Sequence, residues 1–156
     1  MDVEQIYKTL LGGSLILIGT FLVIGLIILV LYVVGLVKLF NKAGKPGWAA
    51  IIPFYNTYVL VEIAGLNWWY FLIAISGSIF SFLGISGFST ITWLASAAAN
   101  FFIFYNLGKK FKQDPTVFGI LGIFFKLIMV MILGFSNTMA YDSGINVSPN
   151  GPIENK

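Results

Sequence analysis

The sequence contains no cysteine, no histidine and no arginine in 156 residues. Without cysteine it can form neither a disulfide nor a thiolate metal site. Without histidine it lacks the commonest general base and the commonest transition-metal ligand. Without arginine it lacks the side chain that holds a phosphate through two parallel hydrogen bonds. Charge of either sign is scarce, at 10% of residues where soluble domains carry about one quarter. The six acids are scattered singly, so no pair stands ready for acid–base work. No glycine-rich phosphate loop follows a strand. These absences point to a protein that is not an enzyme and binds no cofactor or metal. The net charge of +3 is also too small for the basic face that nucleic acid requires.

What the sequence has in quantity is apolar surface, at 58% of residues. Water could not solvate that much, so the lipid bilayer is the expected solvent and the first partner. The start, with Asp2 and Glu4, is acidic, and the apolar run behind it is too long for a signal peptide. The expected architecture is an all-α integral membrane protein with four transmembrane helices, near 10–37, 68–85, 90–107 and 115–135. Trp68, Trp69 and Tyr70 open the second as interfacial anchors. Gly77, Ser81 and Gly84 give it a small face for close helix contact. Asp114 and Pro115 suit the start of the fourth, as cap and first helical residue. Residues 1–141 form one membrane domain on this reading, and 142–156 are a flexible polar tail.

The lysines set the expected orientation. Three lie at 38–45 and three at 109–112, while the link at 86–89 has none. Basic loops stay on the cytoplasmic side. Both clusters share a side only if the segment near 47–65 does not cross. Loops 38–66 and 108–114 are then cytoplasmic in a plasma (cytoplasmic) membrane, with both termini outside. Pro53 and Glu62 also argue against a span here. Asn56, Thr57 and Glu62 point in different directions around a helical wheel. A shallow re-entrant segment, or one packed on the bundle, therefore stays open beside a surface-lying one.

That segment carries a recognisable pattern: Lys42-Ala43-Gly44, Gly47-Trp48-Ala49-Ala50, Ile52-Pro53, Tyr55-Asn56, Tyr58-Val59 and later Trp68-Trp69. Leu107-Gly108-Lys109, Phe118-Gly119 and Gly134-Phe135 to Tyr141 continue it. It resembles a bacterial family of small multi-helix membrane proteins of unknown function. A similar module is fused ahead of the catalytic part in some proteins labelled signal peptidase I. The resemblance covers most of residues 35–141 and implies almost no chemistry. The Ser/Lys pair of such peptidases sits in a soluble β-rich domain for which this chain has no room.

Two groups of residues are candidates for function. Lys126 falls inside the apolar run IFFKLIMV, and an ionisable group there marks a functional site by default. Counting along the helices places Asn100, Ser78 and Ser96 near its depth. Together these four form an expected polar patch for an anion, a proton or a partner helix. Snorkelling toward an interface, or packing held by Asn100 and backbone carbonyls, is the alternative role for Lys126. The second group is an interfacial docking segment of Trp48, Pro53, Tyr55, Asn56, Tyr58 and Glu62. A salt link from Glu62 to a lysine of either cluster is expected. The functional expectation is a non-enzymatic subunit, scaffold or modulator of another membrane component, with a membrane-protein partner or a homo-oligomer. The alternative is a small transporter or channel built on the patch around Lys126.

Overall fold

A computed structural model describes residues 2–84 and 89–144. Among these residues every regular element is helical, so the all-α expectation holds. Helix α1 runs Val3–Lys42, 40 residues and about 60 Å. It passes the expected 10–37 at both ends. At the start, Glu4 and Lys8 pair one turn apart at 2.8 Å, a spacing that supports a helix. At the far end nothing interrupts it until Gly44, at φ +71°. Apolar side chains from Leu15 to Leu31 are exposed, and burial begins with Gly35, Leu36, Leu39 and Phe40. α1 is long and apolar enough to cross a membrane.

The expected non-spanning segment is two pieces. A 3-10 turn at Gly47–Ala50 precedes a break at Pro53 and Phe54, where Phe54 has φ +64°. Helix α2, Tyr55–Ile63, follows. Val59, Leu60, Val61 and Ile63 are buried against the end of α1. Of the readings left open, α2 is thus the one packed on the bundle.

Helix α3, Trp69–Phe82, and helix α4, Ser89–Lys110, pack antiparallel. Tyr70 meets Phe102 near one end, and Gly77 meets Ser96 further along. The small face expected to serve contact is therefore partly used within the chain, because a Cβ on Gly77 would lie 2.9 Å from Ser96 Oγ. The link between these helices and the tail beyond 144 lie outside the described residues. α3 has 14 residues, short of the ~20 that span a hydrocarbon core.

The expected continuous helix at 115–135 is broken. Helix α5, Pro115–Phe124, starts well because the Asp114 carboxylate accepts from the Thr116 and Val117 N–H groups. It lies along α4, with Gly119 against Phe101 and Gly122 against Phe104. Phe125 then leaves helical geometry at φ −124°, ψ 36°. Helix α6, Lys126–Phe135, packs on α1 instead. A Cβ on Gly134 would fall 2.2 Å from the Gly35 carbonyl oxygen, so only glycine allows this approach. The two halves dock on different helices, and one straight helix could not satisfy both. No glycine or proline marks the break, and the local sequence offers no account of it.

Contacts at the helix ends show where the broken pair goes. The Lys42 ammonium, in the last turn of α1, donates to the carbonyls of Leu133, 2.7 Å away, and of Ser136 at the end of α6. Lys45, three residues on, pairs with Glu62. The next carbonyl, of Ile63, accepts from the Tyr141 hydroxyl at 3.2 Å. The Tyr141 ring lies 5.9 Å from the Lys110 ammonium, and the Asp142 N–H bonds the Lys110 carbonyl at 2.9 Å. Both lysine clusters therefore share one end of the molecule. The start of α5 and the finish of α6 are there too, so the pair folds back at Phe125. This corrects the expected position of the C-terminal segment: residues 136–144 sit at the end that carries the basic loops, not at the opposite one. The part of the expected flexible tail from Asp142 to Gly144 is tied down there.

The α1–α6 contact predicts the sharpest mutational contrast. Gly134→Ala should destabilise the protein in detergent by about 1–3 kcal/mol through overpacking. Gly25→Ala has nothing within 4 Å of its new methyl and should leave thermal unfolding unchanged or slightly raised. Equal behaviour of the two variants would remove the Gly35–Gly134 contact from the fold.

Candidate functional site

The backbone pairing of α3 and α4 leaves a cleft of about 490 Å³ on one side. Ser78 and Ser81 of α3 and Thr92, Ser96 and Asn100 of α4 supply its polar lining. Ser96 is the hinge of the pair. Its hydroxyl donates to the Ile73 carbonyl at 3.0 Å and accepts from the Gly77 N–H at 3.1 Å. It can do so because Gly77 lets the helices approach closely. Asn100 uses its amide N–H on the Ser96 carbonyl one turn back, at 2.8 Å. Its Oδ1 is buried and has no hydrogen-bond partner. A buried acceptor left unpaired costs about 1–3 kcal/mol, so this oxygen is an open demand for a donor. No charged side chain lines the cleft.

Three of the four patch residues are thus brought together, and Lys126 is not among those lining the cleft. It begins α6, immediately after the fold-back at Phe125. The counting that put it beside Asn100 assumed a straight helix from 115 to 135. The break redirects it, and α6 has no close backbone approach to α4.

The interfacial segment forms an aromatic row. Trp48 stacks on Tyr55 at 5.8 Å and Tyr55 on Tyr58 at 5.9 Å, with interplanar angles of 12° and 15°. Phe71 of α3 closes the row edge-on at 5.8 Å. All three leading rings are exposed. Pro53 precedes the strained Phe54 and turns the chain so that Trp48 and Tyr55 can meet. Asn56 holds the segment itself, weakly, through the Ala50 carbonyl at 3.5 Å. Glu62 pairs with Lys45 of the nearer cluster, the link the sequence reading expects.

Residues 48–143 match the model of a family of unknown function, DUF5684. The chain belongs to this family. No curated protein and no solved structure matches it. The DUF5684 match starts at the first ring of the aromatic row and ends one residue beyond Asp142. It leaves α1 outside, although α6 of the DUF5684 region takes α1 as its main packing partner.

A residue that sequence reasoning passed over, Tyr141, closes the DUF5684 region. Its ring meets Phe111 at 5.6 Å, and its hydroxyl reaches Ile63. Burial pushes its phenol upward; nearby Lys45 opposes this, while Asp142 and Glu62 add to it. Beside it, the hydrogen bond from Lys112, and then that from the Gly144 N–H, hold the Asp142 carboxyl below its ordinary value of 3.8. A lowered carboxyl favours the folded state above that value, and the contribution fades as pH falls through the folded pKa. At neutral pH the Asp142 carboxylate is therefore ionised and available to Lys112 and the Gly144 N–H. An aromatic residue amid polar neighbours just past a helix was the available signal.

The cleft predicts an opposite pair of stability effects. Ser96→Ala loses the bonds to Ile73 and Gly77 and should cost about 1–2 kcal/mol. Asn100→Leu removes an unpaired buried acceptor and should leave the melting temperature of the isolated chain unchanged or raised. A large loss of stability in Asn100→Leu would mean that Oδ1 is already satisfied within the chain.

Proposed function

We propose that the protein is a non-enzymatic integral membrane subunit whose α3–α4 cleft receives a polar group from another membrane component. The unpaired Asn100 oxygen in an otherwise built cleft carries this reading. Hydrogen bonds between transmembrane helices commonly come from such amides and hydroxyls. The transporter alternative drew on Lys126, Asn100 and Ser78 acting as one patch, and the separation of Lys126 from the cleft weakens it.

In this reading the chain sits in the plasma (cytoplasmic) membrane with its lysine-rich end toward the cytoplasm. The six clustered lysines and the row Trp48, Tyr55 and Tyr58 suit an interface with anionic headgroups. α1 crosses from the outside, and α3 and α4 cross and return, with the bilayer thinned locally around the 14-residue α3. The α5–α6 pair enters from the cytoplasmic side to about half depth, since ten residues rise about 15 Å in a core of about 30 Å. It then turns back. The backbone at the turn stays satisfied, because the Phe125 N–H donates to the Leu121 carbonyl and the Phe125 carbonyl accepts from the Met129 N–H. This gives three crossings and a re-entrant pair in place of four crossings.

The absence of native cysteine makes the orientation testable. Single cysteines at Lys45, Lys112 and Ser143 should react with an impermeant reagent from one face, and one at Glu4 from the other. Reaction of Ser143→Cys from the face opposite Lys112→Cys would overturn the re-entrant pair. For the subunit role, a photoreactive residue at Ser78 or Ser81 should crosslink in native membranes to a different polypeptide, and Asn100→Leu should reduce the yield. Adducts with lipid alone, or solute flux through liposomes of the pure protein, would overturn it.

A further inference from the structure

Every other described lysine has a partner. Lys8 pairs with Glu4, Lys45 with Glu62 and Lys112 with Asp142. Lys42 and Lys110 donate to carbonyls, and Lys38 and Lys109 lie over aromatic rings. Among the described residues Lys126 makes no hydrogen bond, ion pair or ring contact. It lies outside both basic clusters, at the fold-back between α5 and α6.

We infer that Lys126 is a docking charge for a transmembrane helix of a different protein, one that carries an aspartate or glutamate at mid-membrane depth. The inference rests on the subunit reading and the bilayer placement above. Four observations support it. First, α5 lifts Lys126 about 15 Å from the basic end, where an unpaired ammonium is costly. Second, a helical Cα–Cβ bond tilts toward the helix N-terminus, and the N-terminus of α6 points away from the basic end. The stem therefore starts away from the nearer headgroups, and about 15 Å of hydrocarbon beyond it exceeds what a lysine spans.

Third, the neighbours of Lys126 form an apolar rim: Phe124 is 71% exposed, Phe125 51% and Ile128 49%. A hydrated anion gains nothing from such a rim, whereas a lipid-embedded helix packs against it. Fourth, a second copy of this chain has no suitable acid. Asp2 and Glu4 begin α1, Glu62 ends α2 and pairs with Lys45, Asp114 caps α5, and Asp142 pairs with Lys112. The sixth acid, Glu154, lies outside the described residues in the polar sequence Pro152-Ile153-Glu154-Asn155-Lys156, which hydrocarbon would not admit. The carboxylate must come from another polypeptide.

The test uses the full chain in phosphatidylcholine vesicles, labelled through Ser143→Cys. Its probes are Leu/Ala-rich transmembrane peptides with a single central Glu or Gln. Near-neutral buffer is used, because a higher pH would ionise the glutamate only at the expense of the lysine ammonium. Energy transfer should show the Glu peptide binding roughly three- to tenfold more tightly than the Gln peptide, the range that polar transmembrane contacts provide. Lys126→Met should abolish that preference and Lys126→Arg retain it, both at unchanged helicity. Lys126→Glu should transfer the preference to a peptide with central Lys. Equal binding of the Glu and Gln peptides, or a preference that survives Lys126→Met, overturns the inference. So does loss of the preference when phosphatidylglycerol is added, which would assign Lys126 to an anionic headgroup. Such failures leave the crosslink from Ser78 intact, whereas loss of that crosslink removes the subunit reading itself.

Discussion

The fold depends on the way α6 ends. A helix terminates with carbonyls that have no partner in the helix. Here the ammonium of Lys42 reaches across from the end of α1 and takes the carbonyls of Leu133 and Ser136. The cation also suits the negative end of both helices. The Gly35–Gly134 contact brings the backbones close enough for this to happen. Once α6 is pinned there, α5 and α6 must fold back at Phe125. Residues 136–144 then return to the basic loop, and Lys126 is left at the far tip of the pair.

Polar groups divide accordingly into those satisfied within the chain and those left open. At the basic end, Glu62, Asp142, Tyr141 and the lysines around them are mutually paired. That end is built to hold the molecule together. Away from it, the Asn100 oxygen and the Lys126 ammonium have no hydrogen-bond or ion-pair partner among the described residues. Low dielectric makes unpaired polar groups expensive, and these two groups are what the proposed subunit role rests on. The cleft lacks charge and asks for a hydrogen-bond donor, while the tip of the α5–α6 pair asks for an anion. They are different demands on different faces.

Much of this was legible in the residues. The helix starts near Trp69 and Pro115 follow from the aromatic anchors, the Asp114 cap and the proline, while α1 and α4 run past the expected ends at 37 and 107. The common side of the two lysine clusters follows from their count, and the Glu62–Lys45 pair from the chemistry of the segment. The association of Asn100, Ser96 and Ser78 could be read because α3 and α4 are regular and antiparallel, so depth can be counted by residue. The same counting failed for Lys126. It assumed that residues 115–135 form one helix, and the sequence GIFFKLIM has no glycine or proline at the point of failure. Tyr141 was missed because its partners, Ile63 and Phe111, are remote in sequence and belong to irregular ends.

By itself the sequence determined composition-driven properties: an all-α chain, a first helix long and apolar enough to cross a membrane, the absence of cysteine and histidine, and a polar seam at Ser96 and Asn100. These depend on local periodicity and transfer energies, which each residue carries wherever it is placed. Only the tertiary structure decided where the chain turns back and which polar atoms go unpaired. Those outcomes depend on two backbones meeting at Gly35 and Gly134 and on a side chain from residue 42 capping a helix that ends at 135. Contacts across that separation have no signature in any local window. They arise when separate surfaces compete for the same short helix pair, with α4 holding one half and α1 the other.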